Sequence, residues 1–195
     1  MDRIHRMSRG RKTLLSLLLV GALGAVAGVG TFSAFSATTS NDANFFNAGT
    51  VSISDNDAGG WMYQIPAATP GVAVERCIQV TYTGSLDSTV SLYGSAVGAI
   101  GPFVNLTIDK GTGMGVFPDC TGFTSGANVY TGTLGGFAAA HTNFGNGSVA
   151  APGAQTVWNT NNTLVYRFTL TLQNVPAANG LTSNLHSFTW EAQNV

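Results

Sequence analysis

The chain has 195 residues, a formal net charge of −1, and charged side chains at only 9% of positions. The charge is unevenly placed, because Arg3, Arg6, Arg9, Arg11 and Lys12 are five of the eight basic residues. The remainder has no basic patch to hold a polyanion, which excludes nucleic-acid binding.

Those basic residues precede an apolar stretch from Thr13 to Gly30. A basic run, then an apolar run, then small residues is the pattern of an export signal. It predicts a signal helix within residues 1–34, cut by signal peptidase near 34–36, after Ala34 or after Ser36. The alternative is an uncleaved N-terminal anchor, since 18 apolar residues would cross a thin bilayer. Once cut, the chain has no stable membrane partner. It keeps three basic and eight acidic residues, a formal charge of −5. Its solubility then rests on Ser, Thr, Asn and Gly, with few like charges to keep copies apart.

Residues 35–48 form an N-terminal extension, and 49–195 are long enough for one domain with its own core. Within the domain, alternation of apolar and polar residues predicts strands. Val51 and Ile53 share one face of the first. Asp55 to Gly60 is a turn cluster, and Trp61, Tyr63 and Ile65 alternate in a short run. After Pro70-Gly71, Val72, Val74, Ile78, Val80 and Tyr82 share one parity. Arg76 falls on that parity too. A buried lone guanidinium is costly, so Arg76 is expected at a sheet edge, in a bulge or beside a carboxylate.

Leu86, Val90 and Leu92 begin another strand, and Val104, Leu106 and Ile108 the next. Gly111 to Asn128 reads as a long loop, followed by a short strand from Val129 to Leu134. Leu134 to His141 is the one helical segment expected in the domain. Leu164, Tyr166, Phe168, Leu170 and Leu172 mark the cleanest strand, with Val165, Arg167, Thr169 and Thr171 facing out. Phe188 and Trp190 share a face of the last. Seven or eight short strands without a βαβ rhythm predict an all-β, antiparallel β-sandwich.

Cys77 and Cys120 suit one disulfide in an exported protein, tying the loop around Cys120 to the outer side of the Cys77 strand. No catalytic, metal or cofactor site emerges. His141 and His186 share no ligand spacing, and HExxH and GxSxG are absent. Asp55, Asn56 and Asp57 read as a solvated turn. Trp61 and Trp158 lie near loops and are the candidate exposed aromatics, which together would form a stacking platform for a surface ligand. The reading is of a protein that is not an enzyme.

Several segments resemble the TasA/camelysin family of secreted proteins. Arg11 to Leu18, the glycine-rich run to Gly30 and Thr31 to Ser36 resemble its SipW-type signal peptides. Asn44 to Ile53 resembles its N-x-F-x-A-G-T-L-x-L segment. Pro70-Gly71 with Ile78 to Leu86 resembles a second block, in which Tyr82 replaces the usual asparagine. Thr163 to Leu172 and Phe188 to Ala192 are similar to actinobacterial members. The resemblance implies a jelly-roll sandwich and, in the fibre-forming biofilm matrix members, a donor strand just after the signal peptide. Phe35, Phe45 and Phe46 occupy that place and are the candidate assembly residues, pairing the chain with another copy of itself by β-augmentation. The function expected is that of a secreted structural subunit of an extracellular or surface filament. The alternative is a monomeric or membrane-anchored surface binding module. The camelysin branch implies a metallopeptidase, for which no zinc motif is present.

Overall fold

A computed structural model describes residues 9–30 and 47–195. The cleavage region near 34–36 and the candidate assembly residues Phe35, Phe45 and Phe46 lie outside the described residues. Helix α1 spans Arg9–Gly30. No helix among the described residues is long and apolar enough to cross a membrane.

Asn47–Val195 is a compact unit of its own. Its strands are β1 (Ile53–Asp55), β2 (Ala73–Tyr82), β3 (Ser88–Gly94), β4 (Val104–Thr112), β5 (Thr124–Thr133), β6 (Ser148–Val149), β7 (Thr163–Leu172) and β8 (Phe188–Asn194). They form an antiparallel five-stranded sheet, β1-β2-β7-β4-β5, and an antiparallel three-stranded sheet, β6-β3-β8. Only β1–β2 and β4–β5 join sequence neighbours within one sheet, so the other links cross between sheets.

The core follows the alternation in the sequence. Ile78, Val80 and Tyr82 of β2, Leu106 and Ile108 of β4, and Tyr166, Phe168 and Leu170 of β7 point inward from the larger sheet. Val90 and Leu92 of β3 meet them from the smaller one, with Phe188 and Trp190 half-buried beside them. Helix α2 (Leu134–Ala140) closes one end of the sandwich with Leu134 and Phe137. The Thr133 hydroxyl caps it by accepting from the Gly136 N–H at 3.0 Å.

The opposite side of the larger sheet is covered as well. Cys77 and Cys120 form a disulfide with Cα atoms 5.1 Å apart. The bridge holds loop 113–123 against the outer side of β2, as the parity of Cys77 requires. Arg167 lies there, donating to Asp109 Oδ2 at 2.9 Å, with Glu75 at 3.7 Å and the Phe123 ring 4.9 Å from its guanidinium carbon. Val165 faces this side yet is buried.

Three segments depart from the sequence reading. Trp61 to Ile65 forms no strand; Pro66 and the flanking glycines stop pairing before it starts. The loop expected from Gly111 to Asn128 is shorter, because β5 already begins at Thr124. Its pairing with β4 shifts register twice, between Ile108 and Asp109 and between Lys110 and Gly111. These bulges break the alternation that would mark the strand. Trp158 is not exposed, and its environment corrects its assignment as a surface aromatic. It is fully buried, and its indole N–H donates to the Ala150 carbonyl at 2.7 Å. Its backbone forms a two-way bridge with Ser88.

Candidate functional site

β2 is ten residues long, about 33 Å at the usual strand rise, and its two ends define two unlike poles. At the first, the chain enters the domain. Ser85 and Leu86 donate their backbone N–H groups to the Thr50 carbonyl, and Thr83 and Gly84 donate theirs to that of Ser52. Tyr82 is buried here. Its hydroxyl donates to the Leu86 carbonyl at 2.5 Å and lies 2.7 Å from Ser88 Oγ. The Thr160 hydroxyl donates to the Gly84 carbonyl at 2.6 Å, and Asn159 donates to Asp87 at 2.7 Å. A side chain at Gly84 would put a carbon 2.6 Å from the Thr50 carbonyl oxygen, so the approach demands glycine. Tyr82 thus ties the turn after β2 to β3.

The second pole is built differently. Val72 and Val74 at the start of β2, Leu170 and Leu172 at the end of β7, and Val104 at the start of β4 floor a cleft of about 1290 Å³. Its walls are two aperiodic segments, Gly59–Pro70 and Gln173–Ser187. Trp61 is 60% exposed and Leu185 82% exposed at the rim, with Val72 and Val175 also open to solvent. These four large apolar groups line one concavity, among walls that also carry Gln, Asn, Ser and Thr. A smaller slot of about 190 Å³ adjoins it, between β1 and the edge of β8. Along that edge, β8 pairs with no described strand.

The walls are latched to each other. The Tyr63 hydroxyl lies 2.5 Å from His186 Nε2, and His186 Nδ1 lies 3.0 Å from the Asn184 carbonyl oxygen. A carbonyl only accepts, so Nδ1 carries the proton of the neutral ring and Nε2 accepts from Tyr63. Burial pushes the Tyr63 phenol well above its ordinary range, which keeps it protonated as the donor. Asn184 is fixed in turn by its own N–H to the Val97 carbonyl at 2.7 Å. Trp190 reaches the cleft from β8. Its indole N–H is buried near Tyr166, without a partner in hydrogen-bonding geometry.

Trp61 and Trp158 therefore do not come together: Trp61 stands at the rim and Trp158 is in the core at the entry pole. His186 belongs to the latch. His141 is engaged elsewhere, with Nδ1 2.6 Å from the Asn146 carbonyl oxygen and its ring against Phe137. Among the described residues, no group of three or more His, Cys, Asp or Glu side chains is placed to hold a metal ion. Sequence reasoning missed the latch and the second wall. Their only signal was Val175, Leu181 and Leu185, apolar residues scattered through a stretch rich in Asn, Gly and Ser.

No protein-family model matches the chain. No curated protein is detectably similar to it in sequence.

Proposed function

We propose that this is a secreted structural protein of the TasA/camelysin type, whose copies join head to tail into an extracellular or surface filament. In this reading the sandwich is a jelly roll. The segment 35–48, freed by signal peptidase, leaves the entry pole as a strand and docks in the cleft pole of the next copy. The observation that carries it is the polarity of the domain. Chain entry, at Thr50 with Ser85 and Leu86, and the apolar cleft floored by Val72, Val74 and Leu172 lie at opposite ends of β2. A contact between unlike ends of identical subunits is heterologous, and wherever its rotation closes no ring it propagates as a filament. Phe35, Phe45 and Phe46 supply apolar plugs for the cleft. Backbone pairing comes from the free edge of β8 by β-augmentation.

The test is electron microscopy of the exported protein beside a form lacking residues 35–48. Filaments from the first and none from the second support the reading. Monomers from both, across salt and pH, sink it. The rival reading of a binding module through a Trp61–Trp158 platform is not favoured, because Trp158 is buried.

A further inference from the structure

The β2 edge of the larger sheet has the makings of a second docking strand, and the chain has closed it without a strand. β1 pairs only with Val80, Thr81 and Tyr82, so the edge from Ala73 to Gln79 lies beyond its reach. Residues 75, 77 and 79 point their backbone groups away from β7. One outward group of each has a partner, and the three partners differ in kind. The Gln79 N–H donates to the Asn56 side-chain carbonyl at 2.9 Å. The Cys77 N–H donates to the Pro118 carbonyl at 3.0 Å. The Glu75 carbonyl accepts from the Arg76 guanidinium at 2.7 Å. An unpaired edge is a template for a strand from another chain, and each of these contacts removes one of its rungs.

We propose that loop 113–123 is an edge guard, and that the Cys77–Cys120 disulfide exists to hold it on β2 so that a second copy cannot pair there. Pro118 lies two residues before Cys120, so the bridge seats the carbonyl that covers the Cys77 N–H. Cys77 is thus both the anchor of the loop and the backbone position the loop covers. The inference rests on the head-to-tail reading in one respect. In a head-to-tail assembly, a strand from another copy pairing at β2 would make filaments branch and bundle sideways. Among the described strands, β8 beside the cleft and β5 at the far side of the larger sheet each keep an unpaired edge, whereas the β2 edge is covered at residues 75, 77 and 79. Asn56 and Arg76 close the rungs that the loop does not reach.

The test is backbone amide exchange by NMR on the exported chain, with and without Cys77→Ser/Cys120→Ser. The residue-77 amide should exchange about tenfold faster in the variant, the effect of losing one net hydrogen bond. The amides of Arg76 and Ile78, which face β7, should stay protected. In the form lacking residues 35–48, which has no head-to-tail donor segment, sedimentation should show association of the variant at concentrations where the disulfide-bonded protein shows none. Unchanged protection at residue 77, or association equal to that of the disulfide-bonded protein, overturns the proposal. If Ile78 loses protection too, Asn56→Ala in the disulfide-bonded chain decides. Its Gln79 amide should open while that of Cys77 stays closed; any other pattern counts against the guard. Exchange at residue 77 reads the guard whether or not copies join head to tail, so its failure is distinct from failure of the filament reading.

Discussion

The two poles of this domain have been finished to different standards. At the entry pole, Val51, Leu86 and Val195 are partly open to solvent, but the aromatic side chains are inside and their polar atoms are paired. Tyr82, Ser88 and Trp158 are fully buried and hydrogen-bonded to one another's neighbourhood. At the cleft pole, Trp61, Val72 and Leu185 stand in solvent around a concavity with an apolar floor. Both ends are loops on the same sandwich, so fold alone does not explain the contrast. A pole that is paired and filled adds to the stability of the monomer. A pole that leaves apolar surface open gives that stability up and keeps the surface for a partner.

Substitutions should separate the two. The largest effect is expected at the entry pole. Trp158→Ala removes a fully buried indole and its bond to Ala150, and should cost about 3–5 kcal/mol in denaturant unfolding. Next comes Tyr82→Phe, which keeps the ring but strips the Leu86 and Ser88 partners. It should cost about 1–2 kcal/mol by the same measurement. Neither should weaken head-to-tail association in protein that remains folded.

Alkaline pH sharpens the comparison between the buried interior and the cleft walls. Burial raises the phenols of Tyr166, in the core, and Tyr63, in the latch, well above their ordinary value. Both are neutral when folded, while the unfolded chain ionises near pH 10. Above that pH the unfolded state binds fewer protons, so stability is lost as pH rises. Each phenol should contribute a slope of about 1.4 kcal/mol per pH unit until its own folded value is reached. Tyr166→Phe should remove one phenol's share of the alkaline slope seen in unfolding between pH 10 and 11, with Tyr63, Tyr93 and Tyr130, whose phenols are raised too, supplying the rest. An unchanged slope would mean that the ring does not sit as described.

The smallest effect on stability is expected at the rim. Trp61→Ala and Leu185→Ser change exposed side chains and should stay within about 0.5 kcal/mol of the parent. Their effect should instead fall on assembly, read as shortened or absent filaments. A large loss of stability here, with assembly intact, would reverse the roles assigned to the two poles.

The parts of this fold that were legible in the sequence are those where one face meets a core and the other does not. Ile78, Val80 and Tyr82, and likewise Tyr166, Phe168 and Leu170, announce their strands by parity. Arg76, expected at an edge, in a bulge or beside a carboxylate, lies opposite Phe168 on the stretch of β2 that β1 does not cover, its guanidinium donating to the Glu75 carbonyl. β5 was hard to see, since Ser125, Gly126 and Ala127 are too small to alternate and two bulges scramble the phase. Trp158 was misread because it is buried by a single bridge to Ser88 rather than by a strand of its own. The cleft was least legible. Its walls have no period, and the Tyr63–His186 contact joins residues 123 positions apart.

In the proposed assembly, the segment before Asn47 binds the pole of the next copy opposite the entry pole. The most direct measurement is an NMR titration of labelled protein lacking residues 35–48 with a peptide of that sequence. Saturable shifts at the Trp61 indole and the Leu185 methyls, with none at the Trp158 indole, are the predicted result. No shifts at millimolar peptide, or shifts confined to Trp158 and the Ser85–Leu86 turn, would contradict it.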